Sequence, residues 1–257
     1  MATAPQPTGL PILYNDLVPL SSSEHAGWKT HTMNGAPFLM NVHAVPITVD
    51  EFVMAQRTFP IIFADAPNPI PLALFGLNEG VNTFVDDQGM FTQPVYVPAY
   101  IRRYPFMLAQ IGPNAQELSL CFDPTSGLVK PDGDAAELFT DGQPSEATKR
   151  ILGFCEEFEQ SAQRTGAFIK ELQELDLLMD GEVTITPEGA AQPSVYRGFK
   201  MINEEKLRDL RGDQLRKMNQ NGMLALITAH LFSLDLMREL YGRQAAQGKL
   251  PSAGVQL

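Results

Sequence analysis

The sequence predicts an α+β protein, with a sheet-rich N-terminal half and a C-terminal half of long helices and one strand pair. Three observations carry that expectation. Residues 1–144 hold 17 of the 20 prolines, and proline fixes φ and removes a backbone donor, so this half is confined to short strands, turns and brief helices. Residues 145–257 hold the other three prolines and place apolar residues at helical spacing. Strands and helices also lack the strict alternation that a doubly wound parallel sheet requires. One domain over 1–257 is expected, with 1–144 and 145–257 as a possible sub-division.

The elements follow in chain order. Ala36 to Val45 reads as an extended stretch, because Phe38, Met40 and Val42 fall at period two. Thr48-Val-Asp-Glu51 is a capping box that opens a short helix to about Thr58. Ile61 to Phe63, Leu72 to Phe75 and Asn82 to Val85 read as strands, and Asp86-Asp87-Gln88-Gly89 as the turn after them. Phe106 to Ile111 and Glu117 to Phe122 form a hairpin around Gly112-Pro113-Asn114.

From Ser145 to Leu175 an amphipathic helix is expected, weakened at Gly153 and kinked at Thr165-Gly166. Met179 to Thr186 and Ser194 to Met201 read as a strand pair. Asn203 caps a short helix to Leu210, and a second short helix follows Arg211-Gly-Asp213. Met223 to Tyr241 reads as a strongly apolar helix of about six turns. Its apolar residues lie on more than one side (Leu226, Leu236 and Met237), which fits either a core helix or a homo-oligomer.

Charge narrows the function. The chain carries a net charge of −11, and a general nucleic-acid binder needs a dense basic face, so nucleic acid is not an expected partner. The first 23 residues contain one charge, Asp16, and several prolines, so no secretory signal is expected. The uncharged run Met218 to Leu234 is only 17 residues long and partly polar, too short for a membrane span. With two Cys, 34 residues apart, and no disulfide framework, the expected location is the cytoplasm.

Catalytic signatures are sparse. His25, His31 and His43 lie within 19 residues, yet their spacing matches no metal motif. A metal-assisted enzyme using His31 or His43 with a carboxylate is the alternative they leave open. His230, on the apolar helix, reads as a core histidine bonded to a carbonyl. The chain lacks a G-x-S-x-G elbow, a G-x-G-x-x-G loop and a Walker loop, so no cofactor is expected. Cys121 and Cys155 sit among apolar neighbours and read as structural.

The strongest candidate is Tyr96-Val-Pro-Ala-Tyr-Ile-Arg-Arg-Tyr-Pro-Phe106. Two of the five basic residues before position 145 are its adjacent Arg102 and Arg103, set among Tyr96, Tyr100 and Tyr104. A guanidinium fork suits carboxylate or phosphate, and tyrosine adds stacking with a polar tip. The segment therefore fits a small anionic molecule or an acidic protein partner. The competing reading is an internal clamp, in which one arginine pairs with Asp123 or another nearby acid. Trp28, in Gly27-Trp28-Lys29, is a second candidate contact or a core anchor.

Several segments together resemble the bacterial SapC-like family. They are Pro46-Ile-Thr, Phe59-Pro-Ile-Ile-Phe63, Asn82-Thr-Phe-Val-Asp86, the Tyr96–Phe106 run, Leu120-Cys-Phe-Asp123 and Gly198-Phe with Asn203-Glu-Glu-Lys-Leu207. The similarity runs from about Leu10 to Tyr241. The family name implies a surface-layer association. The neighbourhood of outer-membrane receptors and halogenase-like proteins in relatives instead implies an accessory role in nutrient uptake or small-molecule processing. The resemblance supplies no catalytic residues. A non-catalytic binding or accessory protein is the first expectation, with a surface-layer component as a further alternative.

Overall fold

A computed structural model describes residues 9–33, 35–111, 117–186 and 193–250. The α+β class holds: small antiparallel sheets occupy mostly the first half, and the long helix Glu146–Glu174 opens the second. The chain divides into two units that interleave in sequence, one made of residues 1–34 and 101–159, the other of 35–100 and 160–257.

The first unit is built on the sheet of Val18–Pro19, Leu118–Phe122 and Phe106–Gln110, in that order. Phe106 pairs with Phe122 and Gln110 with Leu118, which is the expected hairpin; its turn at 112–116 lies outside the described residues. Inward side chains at period two give a core of Phe106, Leu108 and Phe122, closed by Val129, Leu138, Phe139 and Cys155. Ser145 caps the long helix, its Oγ accepting from the Thr148 amide at 3.2 Å.

The second unit holds a five-stranded antiparallel sheet. Its order is Leu178–Asp180, Phe199–Ile202, Ile61–Ala64, Pro71–Leu74, Ala44–Pro46. The strands at 61–64 and 71–74 match expectation within one residue. The C-terminal strand pair is present but broken in two, with 178–180 pairing 199–202 and 183–185 pairing 194–196. Gly181 marks one break: a Cβ there would lie 2.1 Å from the Phe199 ring.

Four expectations give way. Ala36 to Val45 is not extended; Pro37–Leu39 is a 3-10 turn, with Met40 donating to the Pro37 carbonyl, and only Ala44–Pro46 is strand. Proline at the first helical position explains the choice. Asn82 to Val85 is no strand either, because the Asn82 side-chain oxygen accepts the amides of Phe84 and Val85 and curls the backbone. The long helix runs unbroken through Thr165-Gly166, where the Thr165 hydroxyl bonds back to the Ser161 carbonyl.

The apolar C-terminal helix is two helices, Met223–Ser233 and Leu236–Ala246. The Ser233 hydroxyl donates to the His230 carbonyl at 2.6 Å, the acceptor that the Leu234 amide would use in a continuing helix. Leu234 donates to Leu231 instead, and the turn tightens. Met237 is buried and Leu226 and Leu236 are half-buried, whereas Phe232 is 70% exposed.

Candidate functional site

The division between the units falls within the short helix Ala99–Arg102, between Tyr100 and Ile101. Arg102, Arg103, Tyr104 and Trp28 therefore belong to the first unit, and Tyr96 and Tyr100 to the second.

In the first unit the two arginines have different surroundings. Arg103 is buried, and its guanidinium carbon lies 4.1 Å from the centroid of the Phe158 ring and 5.9 Å from that of Tyr14. Its Nη1 is 3.5 Å from a Glu159 carboxylate oxygen. Charge, ring faces and burial together make this an internal clamp. Arg102 is exposed, with its guanidinium carbon 5.0 Å from the centroid of Phe154. Phe154 and Phe158 are four residues apart on the long helix, so one helical face offers a ring to each consecutive arginine.

The clamp's acid is Glu159, and Asp123 serves elsewhere. Asp123 is fully buried and accepts from the Asn15 amide and from the Thr125 amide and hydroxyl, each at 2.7 Å. It holds the N-terminal segment and the turn after the hairpin. Tyr104, half-buried, stands edge-on to Tyr14 with centroids 5.3 Å apart. Burial, with the Asp123 charge adding to it, pushes the Tyr104 phenol up to about 12. Tyr104 thus stays a neutral hydroxyl at ordinary pH.

Trp28 anchors the core. Its ring meets His25 edge-on at 4.7 Å and Phe122 at 5.9 Å, and it packs against the buried cluster of this unit. The His31 ring packs against Gly133, where a Cβ would stand 2.6 Å from its Cε1, and Gly133 also holds a positive φ of +94°. Among the described residues, no three His, Cys, Asp or Glu side chains gather as a metal-binding set. Cys121 and Cys155 are buried, and burial raises both thiols, that of Cys155 to about 11.

In the second unit Tyr96 is engaged by Glu51. One Glu51 oxygen accepts from the Tyr96 hydroxyl at 3.0 Å and the Ala99 amide at 2.6 Å. The other accepts from the amide and the hydroxyl of Thr48, both at 2.9 Å. The carboxylate reaches back to the Thr48 amide as a capping box requires, whereas the hydroxyl donates to the carboxylate and the Glu51 amide goes to the Thr48 carbonyl. Tyr100 is buried.

Sequence reasoning missed Tyr14, Phe154, Phe158 and Glu159 as partners of the arginines. The aromatic pair four residues apart, followed at once by an acid, was the available signal. Against known proteins, the SapC family model matches residues 20–240. No curated protein and no solved structure matches. No helix among the described residues is long and apolar enough to cross a membrane.

Proposed function

We propose that this chain, which belongs to the SapC family, is a non-catalytic cytoplasmic binding protein that recognises the anionic group of a small molecule through Arg102. One observation carries the reading. Of two adjacent arginines, Arg103 is turned inward onto Phe158 and Glu159, while Arg102 is presented at the surface on the face of Phe154.

The chemistry supports this reading. A chain of net charge −11 repels anions in general, so recognising one requires a local cation. Arg102 offers a planar fork that matches a carboxylate or phosphate bidentately, and the ring beneath limits the rotamers it loses on binding. The buried Arg103 clamp holds the segment in place. An accessory role in uptake or processing of small molecules, as the family resemblance implies, fits a protein that binds and hands on.

The test begins with native mass spectrometry of untagged protein purified from its own cytoplasm, read beside its denatured mass. Benzoate and inorganic phosphate are then titrated into the wild type and into Arg102→Ala by calorimetry. A small anionic adduct, and loss of about tenfold in affinity in Arg102→Ala with unchanged melting, is the expected result. An adduct that binds Arg102→Ala as tightly as the wild type overturns the assignment, and a protein adduct replaces the small molecule with a macromolecular partner.

A further inference from the structure

The end of the C-terminal helix meets the segment Leu77–Gln93 through a set of polar side chains. Up to Leu240 the helix docks with buried apolar side chains such as Met237. Beyond it, Gln244 is fully buried, accepts from the Leu77 amide and donates to the Asn78 side-chain oxygen. Gln247 donates to the Thr83 carbonyl at 2.9 Å, and Lys249 to the Asn82 carbonyl at 2.8 Å. Arg243 donates to the Gln93 side chain at 3.2 Å and lies over Phe84, 4.8 Å from its centroid.

The segment underneath is equally bonded to itself. Asn82 accepts from the Phe84 and Val85 amides and donates to the carbonyls of Leu39 and Val42. The Thr83 amide and hydroxyl both reach the Phe75 carbonyl. Below them Phe59, Phe75 and Phe84 pack ring to ring.

We infer that Arg243–Lys249 and Leu77–Val85 form one cooperative opening unit, a polar clasp over this aromatic cluster that releases as a whole and uncovers Phe84. The reason is the asymmetry of buried hydrogen bonds. Breaking any one bond to Gln244, or to the Asn82 or Thr83 carbonyl, leaves a group of a buried residue without solvent, whereas releasing the whole set lets water reach every partner at once. Partial opening is thus penalised more than complete local opening, which is the condition for a two-state element.

Native-state hydrogen exchange of the full chain tests it. In the wild type, the amides of Leu77, Thr83, Phe84 and Val85 exchange with one common protection factor, lower than that of Ile61 and Ala73 in the neighbouring strands. The Gln247→Ala variant changes an exposed residue whose side chain donates to the Thr83 carbonyl. It raises exchange at all four amides together, by about fivefold or more. Gln244→Ala, at the far side of the clasp, raises the same four. Acceleration confined to Thr83 and Phe84 in Gln247→Ala, or four unrelated protection factors in the wild type, overturns the inference.

Discussion

His230 is bonded to Ile61 across 169 residues of sequence: its Nδ1 donates to the Ile61 carbonyl at 2.8 Å. Its Nε2 accepts the Ile202 amide at 3.2 Å. Ser233, one turn on, accepts the Ile61 amide at 2.9 Å. Two helix side chains therefore complete the backbone bonding of one strand residue and reach the strand beside it. Buried backbone groups demand such partners.

The arrangement requires a neutral imidazole, and burial pulls His230 down to about 4, with the Ile61 carbonyl opposing. As pH falls, the unfolded chain takes up this proton near 6.5 while the folded chain resists it. Stability from this group is therefore whole above about pH 6.5 and is lost progressively towards about pH 4, by roughly 3 kcal/mol in all. Urea unfolding at about pH 7, 5.5 and 4.5 measures the slope. In His230→Gln the protein is weaker at neutral pH and its stability falls less over that window; an unchanged slope would place the acid sensitivity in other groups.

A second prediction concerns Glu51. Replacing it by alanine leaves the Thr48 and Ala99 amides and the Tyr96 hydroxyl without their acceptor in a buried setting. A loss of about 3 kcal/mol is expected for Glu51→Ala and about 1 kcal/mol for Tyr96→Phe. Chemical denaturation gives both. Equal losses would mean that the tyrosine bond alone carries the cluster.

How much is legible in the sequence divides along local and long-range lines. The hairpin at 106–122, the strands at 61 and 72 and the Asn203 cap are readable, because alternation and capping act within a few residues. His230 is readable as a core histidine, since an imidazole on an apolar face needs a backbone partner. The break at Leu234 is not. It depends on Ser233 taking a carbonyl of its own helix while reaching a strand 172 residues away. Asn82 misleads in the same way, as its side chain competes with a strand that its neighbours favour. At the candidate site the arginine pair is visible, but the different surroundings of Arg102 and Arg103 depend on rings and an acid from a distant helix.

The two thiols give a third prediction. Cys121 and Cys155 are buried, and burial raises both, with Arg103 partly offsetting the rise at Cys155. At about pH 8 the thiolate fraction of Cys155 is on the order of one in a thousand. Ellman's reagent should report almost no reaction with the folded chain and two thiols after denaturation. One fast thiol in the folded protein would show that a cysteine is reachable and activated.

The last prediction separates two glycines by what surrounds them. Gly166 lies inside the long helix, and a Cβ added there would meet nothing within 4 Å, so Gly166→Ala removes backbone entropy from the unfolded chain without a clash. It should stabilise by about 0.5–1 kcal/mol. At Gly76 a Cβ would stand 1.9 Å from the Val81 carbonyl oxygen, a backbone atom that cannot rotate away. Gly76→Ala should therefore destabilise by more than about 2 kcal/mol. Thermal unfolding of the two variants reads both signs. A stabilising Gly76→Ala would mean that the turn before the clasp shifts freely, whereas a destabilising Gly166→Ala would mean that another chain packs closely on that helix face.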